Sequence, residues 1–264
     1  MELHTPRSLG TPHPLAIHLE RHGDFVAFYE VLVEGGYRRL LDQIEPGDVV
    51  VDAGANIGLF SLLASARVGS DGSVLAMEPN PENYQRLSAH VGRNHCRNVR
   101  VFPYALGAPG QSDVWMVGEG IRAQVVEGLG GQYSVHSVTV DELVREQGLR
   151  PTVLKMDIEG SEREAFGGLK ESLRSIRAVT IEIHDPIGEG AVRSALSDFR
   201  IERVARPRLQ AYARFGLHHP LLLSRLEWGN HLLSVRRLLR DRGDVGGSDG
   251  IYPVHWYASR VGRS

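Results

Sequence analysis

Asp48-Val49-Val50-Val51-Asp52-Ala53-Gly54-Ala55-Asn56-Ile57-Gly58 reads as a strand that runs directly into a glycine turn. Three consecutive valines suit a strand covered on both faces, because alternate side chains then point into two apolar layers. Pro46-Gly47 closes whatever precedes it. After the turn, Leu59 to Val68 is small and apolar and predicts a buried helix. Val74-Leu75-Ala76-Met77 predicts a second strand. Pro81 to Asn94 predicts a helix with proline in its first turn, and Val99-Arg100-Val101-Phe102 a third strand. Strand alternating with helix means parallel strands joined by crossovers.

Working outward, core strands are expected over Thr152–Met156 and Val179–Ile183, with a last strand at Leu232–Val235. Thr139 followed by Glu142 has capping-box spacing and opens a short helix to Glu146; a further helix spans Ala191–Phe199. The glycine-rich stretch 107–138 reads as a hairpin-like excursion, with Trp115 in its core. Residues 1–24 show no clean periodicity and read as a loose lead-in. From Asp24 to Ile44 the apolar spacing fits two short helices, or an extended piece and a helix. The expected organisation is a lead-in or cap over 1–45, one α/β domain over 46–240 and a flexible tail over 241–264, whose Trp256 and Tyr257 cover a pocket, mediate a dimer or pack.

The chain of 264 residues has 30 basic and 32 acidic residues, a formal net charge of −2, which argues against a general polyanion binder. Only Lys155 and Lys170 are lysines, as a GC-rich genome would produce. The single cysteine, Cys96, allows no intramolecular disulfide and no cysteine-based zinc site. No apolar run is long enough for a membrane span, and the first residues lack the pattern of a secretory signal. The expectation is a cytoplasmic protein with no nucleic-acid partner and an open oligomeric state.

The loop chemistry is more specific. D-x-G-x-N-x-G after a strand is not the dinucleotide spacing G-x-G-x-x-G. Gly54 permits a tight turn and close approach of a ligand, and Gly58 lets the helix pack near the sheet. Asp52 at the strand end suits a ligand with a sulfonium or ammonium group better than a diphosphate. Glu78-Pro79-Asn80 ends the second strand, where an acid can accept both hydroxyls of a ribose. Together these predict an adenosine ligand without a phosphate requirement, S-adenosyl-L-methionine.

The sequence resembles the FkbM family of class I S-adenosylmethionine-dependent methyltransferases. The matching stretches are Pro46–Gly58, Glu78–Pro81, Ala105-Leu106-Gly107, Val138–Leu143 and Leu154-Lys155-Met156-Asp157-Ile158-Glu159-Gly160-Ser161-Glu162, covering roughly 45 to 185. The resemblance implies a Rossmann-like, doubly wound α/β fold with a seven-stranded, mostly parallel sheet, an N-terminal helical lead-in and a C-terminal extension. It places Asp52, Gly54 and Asn56 by the methionine part and Glu78 by the ribose, with Ala55, Gly58, Pro79 and Asn80 among the cofactor-binding residues. Tyr104 and Ala105 fall near the adenine, and Asp157 faces cofactor and substrate. S-adenosyl-L-homocysteine is the implied product.

Alcohol acceptors benefit from a base. Asp157-x-Glu159 and Glu182-x-His184 end neighbouring strands, so His184 is the candidate general base and Asp157 its orienter or co-base. No metal site is assigned; the alternative uses Asp157, Glu159, Glu182 and His184, since oxygen with imidazole suits several divalent cations. Glu162 and Glu164 read as solvated first-turn acids, Lys155 as a core residue paired with an acid, and the His218-His219-Pro220 region as a surface excursion or a lid. The expected function is O-methylation of a small hydroxylated metabolite such as a sugar, polyketide or glycolipid-type intermediate. N-methylation of an amine or amide, or a non-catalytic cofactor-binding partner, is the alternative.

Overall fold

The computed structural model describes residues 2–5, 11, 13–34, 36–118, 124–126, 131–184, 186–204 and 254–261. Two short antiparallel strands, β1 (Glu2–His4) and β2 (Ala16–His18), open the chain. The lead-in is therefore more ordered than its sequence predicts. Its pattern is hidden because a neighbouring helix supplies its partners. The Asn94 side chain bridges the backbone of Ala16, and His90 Nε2 accepts from His18 N at 2.9 Å. Helix α1 (His22–Phe28), a wide π-helical turn (Tyr29–Glu34) and α2 (Arg38–Leu41) follow.

The core sheet then forms with crossovers: β3 (Val49–Ala53), α3 (Leu59–Val68), β4 (Ser73–Met77), α4 (Pro81–Arg93) and β5 (Val99–Phe102). An excursion of β6 (Ala105–Leu106), β7 (Asp113–Val117), β8 (Gln124–Val126) and β9 (Tyr133–Val138) makes a separate four-stranded sheet in the order β6-β9-β7-β8. Helix α5 (Val140–Glu146) starts with the expected capping box, Thr139 Oγ1 accepting from Glu142 N at 3.1 Å. The chain continues through β10 (Val153–Met156), α6 (Glu162–Gly167), β11 (Ala178–Ile183), α7 (Pro186–Ala195), β12 (Phe199–Arg203) and β13 (Val254–Arg260).

The main sheet has seven strands in the order β12-β13-β11-β10-β3-β4-β5. β13 runs antiparallel between β11 and β12; the pairings among β11, β10, β3, β4 and β5 are parallel. The fold is thus the expected doubly wound α/β one, with corrections near the C-terminal end: the helix expected over 191–199 runs Pro186–Ala195, and Phe199 already starts β12. Residues 254–260 belong to the sheet rather than to a flexible tail, because Trp256 and Tyr257 alternate into opposite apolar layers. The strand expected at 232–235, the 206–229 segment and the rest of the tail from 241 lie outside the described residues.

Strand β3 shows why the valine run is there. Val50 faces the layer of α3, α2 and the lead-in, with Leu62, Leu40 and Phe28. Val51 faces the layer of α5, α6 and α7, with Leu143, Phe166 and Leu196. Both are fully buried. Burying one such side chain contributes roughly 1.5–3 kcal/mol. No described helix is long and apolar enough to cross a membrane.

Candidate active site

The carboxyl ends of β3, β4, β10 and β11 open on a cavity of about 510 Å³. Its floor is the loop after β3. Gly54 adopts φ +74°, and a Cβ there would stand 1.8 Å from the Asp157 carbonyl oxygen. The close approach that Gly54 permits is therefore to the end of β10. Asn56 also lies in the left-handed region at φ 52°, which asparagine tolerates better than most residues. That conformation turns its N–H onto Glu78 Oε2 at 2.7 Å. Gly58, at φ +90°, caps α3, and a Cβ there would meet Leu87 of α4 at 2.4 Å. Its close neighbour is a helix rather than the sheet.

Glu78 follows β4, buried, with Asn80 N donating to its Oε1 at 3.0 Å. Burial pushes its carboxyl up to about 7, although the Asn80 and Asn56 amides act in the opposite direction. Its oxygens accept the Asn56 and Asn80 amides and the Asn83 side chain, which leaves about one lone pair for a further donor. Ala55, Pro79, Tyr104, Ala105 and Asp157 also line the cavity.

Three expected cofactor positions do not line it. Asp52 is fully buried: Oδ1 is 3.2 Å from Lys155 Nζ and Oδ2 accepts from Ser61 Oγ at 2.5 Å. The register opposes Asp52 to Lys155 across β3 and β10, so this acid answers a lysine of the sheet rather than a ligand's charge. Asn80 caps α4, its Oδ1 accepting from Glu82 N and Asn83 N, both at 3.0 Å. Gly58 serves the turn.

The acceptor end holds the expected strand-end residues in an unexpected arrangement. His184 Nδ1 is 2.8 Å from Glu162 Oε1, while its Nε2 lies 3.4 Å from Glu159 Oε2 and 3.8 Å from Asp157 Oδ1. Glu162 is fully buried and holds the imidazole; it is not a solvated first-turn acid. Burial alone would depress His184, but the Glu162 hydrogen bond and the carboxylates of Asp157 and Glu159 raise it to about 9. With Nδ1 taken up by Glu162, only Nε2 of His184 faces the cavity, beside the carboxylates of Asp157 and Glu159. Asp157 is raised from the usual aspartate range by burial and by the nearby Glu182 charge.

Two further residues come from outside the expected domain. Tyr37, beside α2, is buried and donates its hydroxyl to Asp157 Oδ2 at 2.8 Å. His255 of β13 stands opposite Glu182 and is hydrogen-bonded to it through Nε2. Nothing local in the sequence marks either residue. Lys155 also lines the cavity and donates to Gly54 O at 2.5 Å.

Comparison with known proteins assigns the family. The sequence pattern of the methyltransferase FkbM domain matches residues 52–244. The chain belongs to the FkbM methyltransferase family. It is 30% identical over 168 residues to the hexuronic acid methyltransferase AglP of Haloferax volcanii, covering 62% of this chain and 67% of that one. It is 27% identical over 198 residues to the 31-O-demethyl-FK506 methyltransferase FkbM of Streptomyces tacrolimicus, covering 61% and 75%. The crystal structure of methyltransferase FkbM from Methylobacillus flagellatus superposes with a TM-score of 0.46 at 17% identity, over 72% of this chain and 53% of that one. Tyr37 and His255 of this FkbM-family chain lie on either side of the matched segment.

Proposed function

We propose that the chain transfers a methyl group from S-adenosyl-L-methionine to an oxygen of a small hydroxylated molecule. The observation that carries this reading is the cavity itself. It joins the Gly54–Asn56 backbone and Glu78 at one end to Asp157, Glu159 and His184 at the other. The donor set fits the cofactor. Glu78 keeps a lone pair for a ribose hydroxyl, Tyr104 and Met116 offer apolar surface for a base, and Asp157 supplies a carboxylate to the same cavity.

The cofactor supplies an electrophilic methyl group on a sulfonium sulfur. The chain aligns the acceptor with it. Transfer to an oxygen would release the acceptor's proton, and the carboxylates at this end of the cavity are placed to take it up. An amine acceptor fits less well, because these carboxylates would hold it as a non-nucleophilic ammonium ion. The printed names of the two relatives, a hexuronic acid methyltransferase and a 31-O-demethyl-FK506 methyltransferase, support an oxygen acceptor. Incubation of a panel of alcohols, sugar acids and amines with methyl-¹³C cofactor tests the reading by product NMR. O-methyl products support it, and N-methyl products alone would overturn it.

Glu78 provides a pH test. A carboxylate that accepts ribose hydroxyls must be ionised, and this one loses its proton at about 7. Affinity should therefore rise with pH through neutrality. The Kd for S-adenosylhomocysteine is expected to weaken about fivefold from pH 7 to pH 6. Glu78→Gln should cost roughly 1–3 kcal/mol of binding above neutrality and flatten the profile. Calorimetry across this range checks both, and a wild-type affinity independent of pH would remove Glu78 from the ribose site.

A further inference from the structure

We infer that Asp157, Glu159 and His184 form a site for one divalent cation of the Mn²⁺ and Mg²⁺ class, placed where the acceptor oxygen meets the methyl group. This deepens the methyltransferase reading and rests on it for the cation's task. The cation itself can be tested alone.

One ligand atom from each of the three residues lies within 4.8 Å of the other two. The 3.4 and 3.8 Å separations from His184 Nε2 are long for hydrogen bonds. They approach the spacing of neighbouring donors around an ion bound at roughly 2.0–2.2 Å. The three side chains are 15%, 22% and 31% exposed for His184, Asp157 and Glu159, so the cluster is open to the cavity and reachable by an ion.

The surrounding partners are the second, independent observation. Metal-binding imidazoles give their far ring nitrogen to a carboxylate or carbonyl, and metal-binding carboxylates are themselves hydrogen-bonded. Both features are built here from separate elements. Glu162 of α6 holds Nδ1 of His184 and leaves Nε2 to the cavity. Tyr37, remote in sequence and outside the cluster, holds Oδ2 of Asp157 and leaves Oδ1 beside that Nε2. Glu162 is fully buried with Oε2 unpartnered among the described residues, a buried polar atom beside the same cluster. Two carboxylates and one imidazole suit a cation of the Mn²⁺ class, with remaining positions for water or the acceptor oxygen. A cation there would hold that oxygen in place and favour loss of its proton.

The test is a titration of Mn²⁺ into the full chain, read by loss of the free-ion signal in electron paramagnetic resonance. S-adenosylhomocysteine binding is followed by calorimetry on the same preparation. One bound Mn²⁺ per chain is expected. Glu159→Gln, at the most exposed ligand, should weaken it at least tenfold, and His184→Ala more. Glu162→Gln and Tyr37→Phe, which touch no ion, should weaken it by roughly 10–100-fold. Thermal melts separate these losses from misfolding, and Glu159→Gln keeps the test decisive should a buried variant fail to fold. Homocysteine adduct binding without any Mn²⁺ uptake overturns the cation site and leaves the methyltransferase reading standing. Mn²⁺ uptake unchanged in both Glu159→Gln and His184→Ala overturns it as well. Mn²⁺ uptake without S-adenosylhomocysteine binding supports the site and counts against the cofactor reading.

Discussion

Gly54→Ala is expected to abolish cofactor binding and to destabilise the fold by about 2–6 kcal/mol. The figure combines a strained left-handed backbone, roughly 1–3 kcal/mol, with overpacking of similar size. The new Cβ would sit 1.8 Å from the Asp157 carbonyl oxygen and 2.9 Å from its carbon. Both are backbone atoms, so no rotamer change relieves the clash. Either the loop lifts or the end of β10 moves, and each displaces one wall of the cavity. Gly110→Ala is the matched control. Its φ is +82° with no atom within 4 Å of the new Cβ, so only the backbone term applies. Melting temperatures and S-adenosylhomocysteine calorimetry on the two variants check the argument. Wild-type stability and affinity in Gly54→Ala would show that the loop and strand do not approach as described.

The second large effect is expected for Lys155→Met. Lys155 and Asp52 are both buried, 3.2 Å apart, in the middle of the sheet. Burial alone would lower the Lys155 ammonium, but Asp52 and Asp157 more than offset this and hold it above its ordinary value. Removing the lysine leaves Asp52 charged and buried without its cation, which costs roughly 3–5 kcal/mol. For a domain of this size that is a fall in Tm of roughly 6–20 °C. Lys155 also ties down Gly54 O, so cofactor affinity should fall with stability. The double variant Asp52→Asn/Lys155→Met should recover most of the loss, because a neutral pair needs no compensation. If the double variant is as unstable as the sum of the two singles, the pair is not coupled.

The two predictions lie on different sides of what a linear sequence exposes. The Val49–Gly58 stretch, the Thr139 capping box and the spacing of Glu78 were legible because each is local. A valine run, a glycine turn and a cap depend on residues within a few positions of one another. The Gly54–Glu78 end of the cavity could be read the same way, since Gly54, Asn56 and Glu78 come from two consecutive strand-to-helix turns. Asp52 was read as a ligand contact because its partner, Lys155, is 103 positions away and meets it only through strand register.

By itself, the sequence determined the parallel βαβ part of the sheet and the family of the domain, because βαβ units impose their own handedness and neighbours, while the strands at both ends of the chain were not legible. Only the tertiary structure decided what each charged group does. It put Glu162 behind His184 and so fixed which ring nitrogen meets the cavity. It drew Tyr37 from the lead-in and His255 from beyond the matched segment to Asp157 and Glu182. The physical reason is that protonation and side-chain orientation follow from burial and from neighbours that fold brings together, and no spacing along the chain encodes those distances.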